Sequence, residues 1–195
     1  MRPSLVLLAG PNGAGKSTLY QTRVAPSFAG PFISADVIQR DEIDDPSMEA
    51  SYAAARLADA RRRDMLDAGR SFATETVFSH PSRLDVIEDA RARGYLVVVM
   101  HVGVDSPDLS VARVRSRMHE GGHDVPEEKI RARYARCAPL IRDAVLRADR
   151  GMVFDNPRLN VPPHRMLVLA SGRLIQAEPI LPAWIRAAYA ADLAI

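Results

Sequence analysis

Eight consecutive residues carry the strongest chemical signal in this chain. Gly10-Pro11-Asn12-Gly13-Ala14-Gly15-Lys16-Ser17 satisfies G-x-x-x-x-G-K-[ST] at every fixed position. The glycines let the backbone curl until successive N–H groups point inward at phosphate oxygens. The helix N-terminus that follows adds partial positive charge, the lysine bridges the terminal phosphates of ATP, and the Ser17 hydroxyl can hold Mg2+. Composition strengthens this reading: of 26 basic residues only Lys16 and Lys129 are lysine, and one of them stands where the pattern demands it.

A second pattern competes for attention. His119-Glu120-Gly121-Gly122-His123 fits H-E-x-x-H, the metalloprotease arrangement in which two histidines one helical turn apart bind zinc. That site needs continuous helix. Gly121 and Gly122 cost about 1 kcal/mol each inside a helix, and Pro126 with Glu127 and Glu128 reads as the first turn of a new one. A zinc protease is therefore not expected, and 121–125 is read as a hinge between two helices.

Further candidates are acids and arginines. Asp36, Glu75 and Asp155 end short apolar runs. Asp36 is placed to accept the proton of a hydroxyl attacking the γ-phosphate, with a helix N-cap as its structural alternative. Glu75 and Thr76 could bind an acceptor's hydroxyls, or Glu75 a magnesium-bound water. Asp155-Asn156-Pro157 reads as a turn. Arg113 and Arg117 lie four apart on an expected helix, and Arg133 and Arg136 three apart on the next. Each pair could bring guanidinium groups to triphosphate oxygens.

The elements that must position these groups alternate along the chain. Strands are expected at 4–9, 32–34, 71–77, 95–104 and 152–154, and helices at 16–24, 47–68, 82–93, 107–118 and 126–148. Segments 166–170 and 173–177 can pair across Ser171-Gly172, and 179–195 is an apolar helix expected to pack on the core. Such alternation gives an α/β fold of P-loop NTPase/kinase type, a mostly parallel sheet with helices on both faces. The two arginine-bearing helices, about 106–148, form a helical lid, and a hairpin and helix at about 164–195 close a single domain spanning 1–195.

Composition sets the outer limits. A chain of 195 residues supports one well-buried core, and a formal charge of +2 is too weak for an electrostatic footprint on nucleic acid. The lone Cys137 and the absence of a signal-peptide layout lead us to expect a cytoplasmic protein, and the longest apolar run, 96–100, is too short to span a bilayer. No N-K-x-D or T-K-x-D base-reading motif is present, which excludes guanine specificity by that route. An LSGGQ-type signature is also absent, and the apolar run 96–100 meets His101 rather than an acidic pair. A small kinase for a small-molecule acceptor remains, where positioning and charge neutralisation carry most of the catalysis. A nucleotide-dependent switch that binds ATP without transferring phosphate is the contrasting reading.

The chain resembles the zeta toxin family of P-loop kinases, in its branch of small ATPases or kinases. The resemblance spans 5–156 and rests on Ala9-Gly-Pro-Asn-Gly-Ala-Gly-Lys-Ser-Thr18, Ser34-Ala-Asp36, Phe72-Ala-Thr-Glu-Thr76, Arg113-Val114, Arg117-Met118, Gly121-Gly-His-Asp-Val-Pro126, Arg133-Tyr134 and Asp155-Asn156. It implies ATP and Mg2+ as cofactors, Asp36 as the base, Lys16 and the lid arginines on the phosphates, and Glu75 with Thr76 facing the acceptor. Characterised members phosphorylate a hydroxyl of UDP-N-acetylglucosamine, and a partner antitoxin blocks their nucleotide site. The P-loop lies so near residue 1 that an antitoxin is expected as a separate protein. Another nucleoside, sugar or cofactor acceptor keeps the same chemistry.

Overall fold

The structure, a computed structural model, describes residues 2–118, 125–158 and 161–193, without the side chains of Arg117 and Met118. The H-E-x-x-H stretch 119–123 and most of the glycine hinge lie outside the described residues, as does the side chain of Arg117.

Seven strands form one sheet in the order β2-β3-β1-β4-β5-β6-β7. They are β1 (Ser4–Ala9), β2 (Phe32–Ile33), β3 (Phe72–Thr76), β4 (Leu96–Gly103), β5 (Arg150–Asp155), β6 (His164–Ala170) and β7 (Arg173–Ala177). The first five are mutually parallel, and β6 and β7 add antiparallel at one edge. The sequence S-L-V-L-L-A of β1 is apolar without alternation because both of its faces are covered. Leu5, Leu7 and Ala9 face a core shared with α3 (Met48–Asp67), α4 (Asp85–Ala92), α6 (Glu127–Arg147) and α7 (Ala183–Leu193). Val6 and Leu8 face a second core with Leu19 and Val24, which follow the phosphate loop.

Most expected elements are present with ends shifted by one or two residues. The exception is the stretch after β2, where α2 (Ala35–Ile38) forms with Ser34 as its N-cap, the Ser34 hydroxyl accepting from the Val37 N–H at 3.3 Å. Four residues are too few to show a helical period, so the sequence offers only the N-cap alternative at Asp36, and the cap falls two residues earlier, at Ser34. Helix α1 (Lys16–Leu19) widens into a π turn over Tyr20–Val24. The arginine-bearing pair appears as α5 (Pro107–Met118) and α6, joined through Val111, Val114 and Ile130 with Val125 packed on them. The C-terminal apolar helix is α7, whose Ile185 and Tyr189 are fully buried. No described helix is long and apolar enough to cross a membrane.

This topology decides where chemistry can occur. From β3 the chain crosses over β1 to reach β4, so the sheet changes direction of growth at β1, and the crevice beyond its carboxyl end is the expected ligand site of an open α/β sheet.

Candidate active site

The phosphate loop fills that crevice. Gly13 and Gly15 have φ of +72° and +94°, values that side-chain-bearing residues rarely adopt. A Cβ on Gly10 would lie 2.2 Å from the Val102 carbonyl of β4, so close packing also fixes the loop's first glycine. Lys16 folds across the mouth, its Nζ donating to the carbonyls of Gly10 at 3.1 Å and Pro11 at 3.3 Å.

Two residues hold the loop from behind. Asn156, just beyond β5, donates from Nδ2 to the Ala14 carbonyl at 2.8 Å. Its own carbonyl accepts from Nη2 of Arg113 on α5 at 2.8 Å, and Arg113 Nη1 reaches the Gly13 carbonyl at 3.4 Å. Arg113 is only 3% exposed, and burial holds its guanidinium below its ordinary pKa while Asp155 opposes that shift. The helical face expected to carry Arg113 to phosphate thus packs against the phosphate loop, with two of the guanidinium nitrogens on carbonyl oxygens. Asn12 Oδ1, Ser110 Oγ, Arg113 Nε and Asn156 Oδ1 are buried without a hydrogen-bond partner among the described residues.

On the other side of the loop the strand-end acids gather. The Glu75 carboxylate accepts from Ser34 Oγ at 2.6 Å and from Ser17 Oγ at 3.5 Å, linking β3, the N-cap of α2 and the phosphate loop. Asp36 sits in the first turn of α2 with its side chain exposed in the same cleft; Ser34 does the capping, so Asp36 is not needed for it. The Thr76 hydroxyl accepts from the Phe78 N–H at 3.2 Å, which leaves its own hydrogen to donate elsewhere. Ser17 and Glu75 supply two hard oxygens beside the lysine. That suits Mg2+, which takes few protein oxygens and completes its shell with water and phosphate. No cluster of three or more His, Cys, Asp or Glu occurs among the described residues, so nothing there builds an all-protein cage for a metal.

These groups line one cleft of about 1260 Å3, more than a single small ligand ordinarily fills. Arg133 and Lys129 of α6 reach it, with Asp36, Glu75 and Thr76 opposite; Arg136 does not. Arg136 shares the helix face of Arg133 but is exposed and folded back along α6, with Nε donating to the Ala132 carbonyl at 3.1 Å. Tyr52 and Met48 on α3, 58% and 51% exposed, form an apolar stretch of the wall.

Sequence reasoning passed over three residues here. Ser34 was visible only as part of Ser34-Ala-Asp36. Asn156 lies in the expected turn Asp155-Asn156-Pro157, yet it holds the Ala14 carbonyl, and Asp155 is buried and accepts from the Trp184 indole N–H at 2.8 Å. Lys129 had a signal that went unused: both lysines of this arginine-rich chain line the cleft.

Comparison with known proteins agrees with this architecture. The AAA domain family matches residues 5–140. An uncharacterized protein of Haemophilus influenzae is 28% identical over 148 residues, covering 69% of this chain and 94% of that one. The crystal structure of AvrRxo1-ORF1:-ORF2 with ATP superposes with a TM-score of 0.66 at 15% identity, over 91% of this chain and 61% of the other. A structure of the PezAT chromosomal toxin-antitoxin system of Streptococcus pneumoniae gives 0.57 at 16% identity, over 80% and 69%. Shikimate kinase from Acinetobacter baumannii with shikimate gives 0.52 at 17%, over 82% and 86%. At these identities the structural likenesses speak to the fold, which is that of P-loop kinases.

Proposed function

Because the chain belongs to the AAA domain family, we propose that it is an ATP-dependent phosphotransferase that moves the γ-phosphate of ATP to a hydroxyl of a small molecule, with a UDP-amino sugar such as UDP-N-acetylglucosamine as acceptor. One observation carries the reading: the Asp36 carboxylate stands exposed in the same cleft as the phosphate loop, freed from capping by Ser34. That placement lets the carboxylate take a proton from an acceptor hydroxyl beside the bound phosphates.

In this mechanism the backbone N–H groups of 10–18 and the Lys16 ammonium bind the phosphates, with phosphate oxygens taking over the lysine donors now on Gly10 and Pro11. Ser17 and Glu75 would hold Mg2+, and the charge neutralisation it would supply falls on the phosphates. Asp36 accepts the proton of the acceptor hydroxyl as its oxygen bonds to the γ-phosphorus, the bond to the bridging oxygen breaks, and ADP leaves. Arg133 and Lys129 bring positive charge from α6, and Arg113 acts through the phosphate loop. Glu75 and Thr76 face the acceptor. The segment 106–148 serves as a lid over the site within a single kinase domain.

The choice of acceptor rests on the resemblance to zeta toxins and on the likeness to the PezAT structure. The same two observations support a separate antitoxin protein as partner. Incubation of the protein with ATP, Mg2+ and UDP-N-acetylglucosamine, followed by mass spectrometry, tests the proposal. One added phosphoryl group with the parent chain, lost in Asp36→Asn while ATP binding persists, is the expected result. Equal transfer by Asp36→Asn removes Asp36 as base. A different phosphorylated metabolite replaces the acceptor, and the absence of any product despite tight ATP binding overturns the kinase assignment.

A further inference from the structure

Beside the phosphate cleft lies a second cavity of about 340 Å3, between α3, β3 and the short turn Pro81–Leu84. The two share Arg62, Glu75, Thr76 and Arg83, so Glu75 and Thr76 belong to both walls. Here two guanidinium groups from different elements converge on a single oxygen. Arg83 Nη1 stands 2.8 Å from Asp59 Oδ1, and Arg62 Nη2 pairs with the same atom. Arg62 is fixed further by Nη1 donating to Thr74 Oγ1 at 3.1 Å, whose hydroxyl in turn donates to the Ile33 carbonyl at 2.7 Å.

The lining as a whole balances, with Arg62, Arg63 and Arg83 against Asp59, Glu75 and Asp89, but the charges are unevenly placed. Two cations share one carboxylate, while Glu75 is turned toward Ser17 and Ser34. The remaining charged groups, Arg63 and Asp89, are exposed and of opposite sign. Arg62 is largely buried, which disfavours its charge and makes an additional anion welcome. A guanidinium pair set at right distances for one oxygen is also suited to a phosphate or carboxylate, which arginine binds through two parallel N–H bonds.

We propose that this cavity anchors the acceptor through an anionic substituent, a phosphate ester or a carboxylate, bound by Arg62 and Arg83. The inference rests on the phosphotransferase reading above. It adds where the acceptor's negative charge is held, at a distance from its reactive hydroxyl, and that α3 and the turn Pro81–Leu84 select for it whichever acceptor is used. With the anion in the side cavity, the rest of the acceptor passes Glu75 and Thr76 into the main cleft.

The test uses the full chain with Mg2+ and the non-hydrolysable ATP analogue AMP-PNP, which keeps the phosphate loop from taking the probe. Inorganic phosphate is titrated in one arm and acetate in the other, following the arginine Nε–H resonances by 15N NMR, with Arg62→Lys and Arg83→Lys providing assignments. Saturable shifts of both resonances at millimolar concentration, weakened roughly tenfold in Arg83→Gln, are expected. Response to phosphate supports a phosphate ester, and response to acetate supports a carboxylate. No saturable shift in either arm, or shifts unaffected by Arg83→Gln, overturns the proposal. Arg83 is partly exposed on its turn, so that variant tests binding without threatening the fold. The readout does not depend on transfer, so failure of the phosphotransferase assay and failure of this anchor are seen separately.

Discussion

Replacing Asn156 by aspartate keeps the side-chain volume and exchanges a donor for an acceptor where the end of β5 meets the phosphate loop. In the parent, Nδ2 gives its proton to the Ala14 carbonyl at 2.8 Å in a buried contact. The same nitrogen would lie 2.3 Å from a Cβ on Gly15, so there is little space for a water to replace the lost donor. After the exchange a carboxylate oxygen faces a carbonyl oxygen with no hydrogen between them. A buried acceptor left unsatisfied costs about 1–3 kcal/mol, and the new charge lies beside a site built for anions. If that cost falls on the nucleotide-binding conformation of the loop, ATP affinity drops roughly 5- to 150-fold, since each 1.4 kcal/mol is a factor of ten. Calorimetric titration with ATP reads this directly, with circular dichroism confirming that the variant is folded. Asn156→Ala, which loses the bond without adding charge, is expected at the low end of the range. Protonating the new carboxyl restores a donor, so the deficit of the aspartate variant shrinks as pH falls below about 5. A folded aspartate variant with the parent's ATP affinity would refute the idea that β5 preorganises the loop.

Two other outcomes follow from the same geometry. Glu75→Gln retains a group able to accept from Ser34 but removes the negative charge beside Ser17; the Mg2+ concentration needed for half-maximal ATP turnover should rise about tenfold, and an unchanged Mg2+ dependence would separate Glu75 from the metal. His101 on β4 is fully buried, bonded through Nδ1 to the Tyr189 hydroxyl at 2.8 Å, and burial pushes its pKa down to about 3. An unfolded chain protonates this histidine near 6.5, so its contribution to stability is complete above that pH and is lost progressively as pH falls toward 3. By pH 4.5 the loss is roughly 2–3 kcal/mol, and thermal melts should show a steeper acid slope for the parent than for His101→Gln. Equal slopes would mean that another group controls acid stability.

What was legible in the sequence was local. The loop 10–17 announces itself because its chemistry needs fixed residues at fixed spacing, and the strand–helix alternation follows from apolar runs punctuated by glycine and proline. The hairpin was visible for the same reason: Ser171 and Gly172 take φ of +48° and +76°, and only a short list of residues tolerates such a pair. Asp36 and Glu75 could be picked out because an α/β sheet sends the ends of its parallel strands to one crevice. Asn156 could not, since its partner Ala14 is 142 residues away, and Asp-Asn-Pro is sufficient by itself to explain a turn. Arg113 illustrates a subtler failure. Its spacing with Arg117 suggests a guanidinium aimed at triphosphate oxygens, but Gly13 packs so closely that a Cβ there would lie 3.1 Å from the Arg113 Cβ, and the guanidinium is held on the carbonyls of Gly13 and Asn156 at the edge of the cleft.

The two lysines tie these levels together. A chain that uses arginine at 24 of its 26 basic positions keeps lysine at 16 and 129, and folding brings both to one cleft, one from the loop after β1 and one from the first turn of α6. Arginine offers a rigid planar fork, which suits fixed partners such as Asp59 for Arg62 and Arg83, and the carbonyls of Gly13 and Asn156 for Arg113. Lysine offers a compact charge on a flexible stem with three rotatable donors, which suits a phosphoryl group whose oxygens shift as it passes from ATP to an acceptor. On the phosphotransferase reading proposed above, that difference suits Lys16 and Lys129 to a moving phosphoryl group, while Arg113 is fixed on the carbonyls of Gly13 and Asn156.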